Sequence, residues 1–260
     1  MEITPALGIG DIIIYKLYEI YTKQPITHIM ININLLKYAR SNYNNSLQSI
    51  TFIISKLFPD GKISIIDQDI RLTCPVKFKD TIKSLYSYFK YDKPYKLPAE
   101  QYIVIHTKAR FDTYHDKFSS EIPEIESFMS KYANKLPIVI MGERTISNNT
   151  ETRKHHIISI YEILIKSLSK NNNIIDMSTE LLSEGSDPES FQKDIEIIHN
   201  AEYNITFGIG GNFVISNVTS EKCISYIGNS NHWFMNMTYD SGLHIFSNNL
   251  TDFLSSISSC

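Results

Sequence analysis

The stretch "YIVIHTKAR", residues 102–110, predicts a buried β-strand that ends in a basic loop. Its first half is an apolar, β-branched run, which is typical of a parallel sheet covered on both faces. A second run of this kind, "LPIVIMG" at 136–142, follows a segment of helical character at 121–134. Strand, helix and strand in this order predict a βαβ unit and therefore an α/β fold.

The same alternation continues in both directions from this unit. Toward the C-terminus it predicts strands at 173–178, 203–208 and 222–228 and helices at 153–169, 188–200 and 247–258. Toward the N-terminus it predicts strands at 28–35 and 62–67 and helices at 12–22, within 37–57 and at 77–91. We therefore expect parallel sheets whose strands are connected by helices.

One segment interrupts the alternation and predicts a domain boundary. The sequence "DKPYKLPAE", residues 92–100, contains two prolines and several charges and has no apolar period, as expected of a linker. We therefore expect an N-terminal α/β domain at 1–96 and a C-terminal α/β domain at 97–260. The predicted architecture is two Rossmann-like parallel-sheet units that face each other across a cleft.

Composition narrows the possible functions. The chain has 260 residues, 42% of them hydrophobic, and a formal net charge of −3, so it can build a core but has no overall basic field for nucleic acid. No apolar run reaches 18 residues, so we expect no transmembrane segment. Three widely spaced cysteines and the lack of a signal-peptide pattern favour free thiols in the cytoplasm.

The loops that follow the predicted strands carry the candidate site, since ligands of parallel sheets lie outside the carboxyl ends of the strands. His106, Lys108 and Arg110 leave the end of the strand at 102–107. Cations at this position can bind a phosphate, with Arg forming two parallel bonds and Lys acting as a point charge. The alternative is a solvated loop with two surface cations, and His106 on its own is also compatible with a structural role.

A glycine-rich turn follows the strand at 203–208. The sequence Gly208-Ile209-Gly210-Gly211-Asn212 lets the backbone approach a ligand closely, and a helix that begins near Asn212 would direct its positive end toward a diphosphate. The alternative is a tight turn without a ligand. The spacing is not that of the GxGxxG motif, and the Lys-Ser/Thr pair of a P-loop is missing.

Two further turns contain acids. Glu143, in "MGERT" at 141–145, can accept a hydrogen bond from a ribose or sugar hydroxyl or pair with Arg110, and Arg144 can add positive charge. A surface turn is the alternative. In "GIGD" at 8–11, Asp11 lies where a helix-capping acid belongs. Gly8 and Gly10 allow a tight turn that would instead leave this carboxylate in the cleft, where it could accept a proton.

The order of these motifs resembles that of the GT-B glycosyltransferases, and most closely that of their heptosyltransferase-like family. The similarity rests on "GIGD", the linker, "YIVIHTKAR", "LPIVIMGE" and "AEYNITFGIGGN". It implies inverting, metal-independent transfer of a sugar from a nucleotide-sugar to a hydroxyl of a glycan, a lipid-linked or a small-molecule acceptor. Consistent with this, the HExxH motif is missing from the sequence, and we expect no metal and no cofactor besides the nucleotide-sugar substrate.

The resemblance also implies roles for the candidate residues. Asp11 is the expected general base, and the loop with Gly8 and Gly10 lies on the acceptor side. Lys108 or Arg110 offsets the charge of the leaving diphosphate. The remaining residues are expected to bind the donor, through its phosphates for Gly208, Gly210, Gly211 and Asn212 and through its nucleoside or sugar for Glu143, Arg144 and His106.

Two other functions are compatible with the same scaffold. One is a sugar-nucleotide 2-epimerase, for which Asp11, Glu143 and His106 would supply the acids and the histidine. The other is a non-catalytic binding or assembly protein that retains the fold. Nucleotide binding separates a transferase from a protein without a nucleotide site, and formation of an epimer without any acceptor would identify an epimerase.

Overall fold

The described part of the chain folds into two main sheets, parallel except for one strand, with helices between the strands, which confirms the predicted α/β class and its Rossmann-like character. The computed structural model describes residues 1–5, 8–39, 43–68, 81–112, 136–144, 155–168, 173–178, 187–228 and 238–258. The predicted helix at 121–134 lies outside these residues. The arrangement of two units across a cleft, and the division at residue 96, stay predictions.

The smaller sheet has three parallel strands in the order β1-β2-β3. These strands are β1 (Glu2–Ile3), β2 (His28–Asn32) and β3 (Lys62–Ile66). The helices between them are α1 (Ile9–Thr22), α2 (Ile33–Ala39) and α3 (Tyr43–Leu57). The predicted strand at 28–35 is therefore too long, because α2 already begins at Ile33.

The described part of the connection to the larger sheet, residues 81–102, is mostly irregular. It contains β4 (Thr81–Ile82) and the single-turn helix α4 (Tyr86–Phe89). Of the predicted helix at 77–91, only the turn Tyr86–Phe89 is helical among the described residues, so the prediction is wrong for the other residues from 81 to 91. The apolar residues of this segment pack against neighbouring helices instead, since Leu85 and Phe89 are buried and Tyr86 and Tyr88 lie against the core.

The larger sheet contains seven of the described strands, six of them in the order β12-β10-β9-β5-β6-β8. Its strands are β5 (Ile103–Asp112), β6 (Ile138–Met141), β7 (His155–Ser159), β8 (Ile174–Asp176), β9 (Tyr203–Gly208), β10 (Lys222–Tyr226) and β12 (Leu243–Ser247). The short β11 (Thr238–Tyr239) pairs with β4. If the six ordered strands are numbered along the chain without β7, their order in the sheet is 3-2-1-4-5-6, which is that of a doubly wound sheet. The strand order reverses between β5 and β9.

Strand β7 is the main departure from the predicted secondary structure. The helix predicted at 153–169 is wrong in its first part, since only α5 (Tyr161–Leu168) is helical there. Strand β5 continues to Asp112, past the last residue paired with β6, and β7 pairs antiparallel with this extension. Residues 155–159, "HHIIS", favour a strand once such an edge is available.

The C-terminal helices agree better with the prediction. They are α6 (Pro188–Asn200), α7 (Gly211–Thr219) and α8 (Leu250–Ser258). Asp187 begins α6, because its carboxylate accepts hydrogen bonds from the backbone N–H groups of Glu189 and Ser190, each at 3.0 Å. The helix predicted from residue 247 begins only at Leu250. It is preceded by strand β12, and the sequence analysis missed this strand.

Alternating side chains of the larger sheet enter two different apolar clusters. Ile103, Ile105 and Ile138 pack with Leu164 of α5 and Phe253 of α8 on one face. On the other face, the second cluster contains Val104 and Val139 of the sheet together with apolar residues of α1, α3, α6 and α7. The helices of the smaller sheet therefore share one apolar cluster with those of the larger sheet.

The connecting segment, residues 85–101, lies along α6. The Tyr86 hydroxyl donates to Glu196 at 2.9 Å, and the Tyr91 N–H donates to the same carboxylate at 2.8 Å. Gln192 Nε2 donates to the carbonyl oxygen of Lys90 at 3.1 Å. The predicted linker, residues 92–100, is irregular in structure, but its Tyr95, Leu97 and Ala99 pack against the apolar core rather than extend into solvent.

Two further expectations concern transmembrane segments and free thiols. Among the described helices, none has both the length and the apolar character needed to cross a bilayer. Cys223 is buried with a free thiol, and burial raises the pKa of this thiol to about 12. Cys74 and Cys260 lie outside the described residues.

Candidate functional site

The two glycine turns of the sequence, 200 residues apart, meet in the fold. Helix α1 begins after β1, helix α7 begins directly after β9, and their first turns are in contact. A β-carbon on Gly211 would lie 3.0 Å from Ile9 Cγ2, and one on Gly10 would lie 3.3 Å from Val214 Cγ2. We call these four residues the glycine junction. Because each helix begins at the carboxyl edge of its own sheet, both edges lie next to this junction.

The close contact at the glycine junction should restrict the size of residue 10. We expect Gly10→Leu to lower the free energy of unfolding by about 1–3 kcal/mol, because the added carbons overpack Val214. Gly10→Ala is the matched control. It should be near neutral, since the helix propensity of alanine offsets a contact that is only a few tenths of an ångström too short. Chemical denaturation measures both, and a leucine variant as stable as the wild type would refute the close packing.

The candidate phosphate loop lies where the strand order of the larger sheet reverses. Gly208 is the register partner of Arg110, and the pairing of β5 with β9 is irregular between Ile105 and Ala109. This irregularity contains His106, Thr107 and Lys108, and bulges of this kind redirect side chains near functional sites. The backbone of Arg110 is therefore next to the glycine turn, while its side chain lies outside the described residues.

Lys108, in the part of β5 beyond its pairing with β6, forms an ion pair with Glu143, which follows β6. Lys108 Nζ lies 3.1 Å from Glu143 Oε1, and Glu143 is 7% exposed. The main chain of Glu143 is also fixed, because its carbonyl oxygen accepts hydrogen bonds from Thr107 Oγ1 at 2.8 Å and from Ser159 Oγ at 2.7 Å. The sequence offered a pair with Arg110 as one option for Glu143; the structure shows a pair with Lys108, and the Arg110 side chain lies outside the described residues.

Gly142 connects this ion pair with the start of α7. A β-carbon on Gly142 would lie 2.7 Å from Thr107 Oγ1 and 3.8 Å from Asn212 Nδ2, and its φ of +107° favours glycine. Lys108, Glu143 and Asn212 thus belong to one region at the carboxyl edge. The sequence analysis missed the roles of Thr107, Gly142 and Ser159, and only the position of Gly142 directly after a buried strand was a usable signal.

His106 lies under α7 rather than at the rim of the site. It is 3% exposed, and its Nε2 lies 3.0 Å from Oγ of the buried Ser216 in α7. Burial lowers the pKa of His106 to about 4, so the ring is neutral at physiological pH. This arrangement matches the structural role left open by the sequence and fixes α7 on β5.

Arg144 belongs to a neighbouring polar cluster at the end of β8. Its Nε donates to Ser178 Oγ at 2.9 Å, and its guanidinium lies 3.5 Å from Asp176 and 5.4 Å from the ring centre of Tyr161. Burial opposes the ionisation of Asp176. Hydrogen bonds from Ser178 and Tyr161 outweigh it and hold the pKa of this carboxyl below its usual value. Arg144 is thus adjacent to Glu143 in the chain but turned toward β8.

Asp11 caps the helix whose first turn forms half of the glycine junction. Its Oδ2 accepts a hydrogen bond from the Gly8 N–H at 3.2 Å, and Gly8 is the N-cap of α1. Asp11 is half-buried in this position. The helix-capping role of Asp11, which the sequence analysis left open, is therefore present, and it keeps the carboxylate at the start of α1.

Five sets of predicted residues therefore lie at the carboxyl edges of the two sheets. They are the turn with Gly8, Gly10 and Asp11, the glycine turn up to Asn212, Lys108, Glu143 and the backbone of Arg110. In the described part of the chain, no three His, Cys, Asp or Glu side chains are grouped as potential metal ligands. Comparison with protein-family models, with curated proteins and with solved structures finds no match to this chain.

Proposed function

We propose that this chain is a glycosyltransferase that moves a sugar from a nucleotide-sugar to an acceptor hydroxyl. The observation that carries the proposal is the contact between the first turns of α1 and α7, at the end of the strand β9 that pairs with the extension of β5 containing Lys108. The start of α7 carries about half a positive charge and has no acidic residue in its first turn, so it favours an anion next to it, whereas the start of α1 already holds the Asp11 carboxylate. A diphosphate outside the carboxyl ends of β5 and β9 would occupy this position.

The proposed roles follow from these positions. The backbone N–H groups at the start of α7, in Gly210, Gly211 and Asn212, bind the phosphates, and Lys108 offsets the charge of the leaving diphosphate. Glu143 accepts hydrogen bonds from hydroxyls of the nucleoside or sugar. These protein groups supply the charge stabilisation, so the proposed reaction needs no metal.

Asp11 is the proposed general base, with the acceptor on the side of the smaller sheet. The acceptor hydroxyl gives its proton to the Asp11 carboxylate while its oxygen bonds to the anomeric carbon of the donor. The bond from that carbon to the diphosphate oxygen breaks, and its electron pair leaves with the nucleoside diphosphate. Attack on the face opposite the leaving group inverts the configuration at the anomeric carbon.

Nucleotide binding is the first test of this proposal. We expect at least one of ADP, GDP, UDP and CDP at millimolar concentration to raise the melting temperature of the wild type, because a ligand stabilises the state that binds it. Lys108→Met should weaken binding about 10-fold or more. Lys222→Met is the matched control, since Lys222 pairs with Glu202 at 3.3 Å at the opposite edge of the same sheet. Equal loss in both variants would contradict a site at Lys108.

Transfer activity tests the role of Asp11. Asp11→Asn retains an oxygen that can accept the Gly8 N–H, so the variant should fold and bind nucleotide normally. We expect its transfer rate to fall about 100-fold or more, as removal of a general base does. Unchanged transfer would reject Asp11 as the base.

A non-catalytic nucleotide-binding protein is the second candidate, and the capping role of Asp11 is the observation that favours it. It predicts nucleotide binding without donor turnover in the wild type. No described contact favours the epimerase, because His106 is buried against Ser216.

A further inference from the structure

The Lys108–Glu143 pair places a carboxylate beside the cation that the proposed site needs for a phosphate. Lys108 Nζ is 3.1 Å from Glu143 Oε1, with the two side chains 30% and 10% exposed. A phosphate that approaches Lys108 therefore also approaches Glu143. At distances of about 4–6 Å two negative groups disfavour each other, so a bare phosphate gains from Lys108 and loses to Glu143.

Glu143 is held where it is by contacts that an incoming anion does not remove. Its carbonyl oxygen accepts hydrogen bonds from Thr107 and Ser159, which lie on β5 and β7. The preceding Gly142 leaves no space for a β-carbon beside Thr107. Because these contacts hold its main chain, the Glu143 carboxylate can move away from a ligand only by rotation of its side chain.

A fixed carboxylate has the opposite effect on a ligand that carries hydroxyls. A hydroxyl that donates to a carboxylate forms a charge-assisted bond, worth about twice a neutral one. The same Glu143 that repels a bare phosphate would thus attract a phosphate with hydroxyls at the right distance. Lys108, released from part of its interaction with Glu143, would then bind the phosphate.

We propose that Glu143 is a specificity-determining residue that selects diphosphates carrying nearby hydroxyls and rejects bare pyrophosphate. This inference rests on the proposed nucleotide site and adds the ligand class that this site accepts. The hydroxyls can come from the ribose of the nucleotide or from the sugar of the donor. Both sources present the same chemistry to the carboxylate.

The test compares the affinities of matched ligands for the wild type and for Glu143→Gln by calorimetry. The ligands are pyrophosphate, the nucleoside diphosphate that stabilises the wild type most, its 2′,3′-dideoxy analogue and the corresponding nucleotide-sugars. The wild type should prefer the nucleoside diphosphate over pyrophosphate by about 30-fold or more. In Glu143→Gln, pyrophosphate should bind about 5-fold tighter and the nucleoside diphosphate about 10-fold weaker.

Two controls make the comparison specific. Glutamine keeps the size of glutamate and an oxygen that can accept from Lys108, and equal melting temperatures of wild type and variant in the absence of ligand would confirm that both are folded. Glu202→Gln removes a charge from the similar Lys222–Glu202 pair at the opposite edge and should leave all four affinities unchanged.

The outcomes separate this inference from the function on which it rests. If the dideoxy analogue binds the wild type as weakly as pyrophosphate, the ribose supplies the hydroxyls. If it binds like the parent and the nucleotide-sugars gain most from Glu143, the donor sugar supplies them. An unchanged preference in Glu143→Gln overturns the role of Glu143 while leaving the nucleotide site intact. A wild type that binds none of these ligands overturns both.

Discussion

Gly242→Ala is expected to lower the free energy of unfolding by about 3 kcal/mol or more, although Gly242 is exposed. Gly242 has a φ of +83°, and a β-carbon there would lie 1.7 Å from the carbonyl oxygen of Glu221. The backbone must therefore move, and the hydrogen bond from the Leu243 N–H to Glu221 O, at 2.6 Å, is lost with it. Strand β12 begins at Leu243, so its pairing with Lys222 of β10 should weaken as well.

Gly228→Ala is the matched control for this prediction. Gly228 also has a positive φ, +57°, but no heavy atom lies within 4 Å of an added β-carbon. The alanine therefore has only the cost of a left-handed conformation, about 1 kcal/mol. Urea denaturation of both variants measures the difference. Equal losses would show that the contact with Glu221 does not limit residue 242.

Asp194→Asn is expected to stabilise the protein at pH 8 by about 2 kcal/mol, or to raise its melting temperature by about 5 °C. Asp194 lies on α6 near Tyr95 of the connecting segment. Burial raises the pKa of this carboxyl from 3.8 to about 7, and the negative charge of Asp187 contributes. The folded protein therefore binds a proton at Asp194 that the unfolded chain has already lost.

The sign of the pH dependence follows from this difference in proton binding. Between about pH 4 and pH 7 the folded state holds more protons at Asp194 than the unfolded state, so stability falls as the pH rises through this window. Above pH 7 the loss is complete. Asp194→Asn removes this slope, so the variant and the wild type should have similar stability near pH 4 and differ most at pH 8.

Glu189→Gln, on the same helix, is a control for which we expect a change in stability of the opposite sign. Hydrogen bonds from Tyr91 and Lys193 lower the pKa of this exposed carboxyl. Its removal should slightly destabilise the protein at pH 8, whereas removal of Asp194 stabilises it. Melting temperatures measured from pH 4 to pH 8 compare the three proteins. A constant difference between Asp194→Asn and the wild type would show that Asp194 does not titrate in this range.

The strands and several helices could be predicted because their signals are local. The apolar runs at 102–107 and 136–142 gave buried parallel strands, β5 and β6. Asp187 and Pro188 marked the start of α6, and the glycine turn marked the start of α7. Each of these signals is a periodicity or a capping residue within a few positions of the element that it predicts.

The missed elements depend on partners distant in the chain. Residues 155–159 form a strand because β5 extends past β6 and offers an edge, which the segment itself does not reveal. The apolar residues in the described part of the predicted helix at 77–91 find their contacts on α3 and α6, so the segment needs no long helix to bury them. In both cases tertiary packing outweighs local propensity.

The sequence by itself determined where the turns lie and how strands and helices alternate, because both depend on backbone preferences over short distances. Only the tertiary structure decided that Gly10 meets Val214, that Lys108 pairs with Glu143 and that His106 is buried against Ser216. Such pairings depend on which helix faces pack together, and this packing is determined by residues about 200 positions apart in the chain. For the same reason, the composition of the candidate site could be predicted while the partner of each charged group could not.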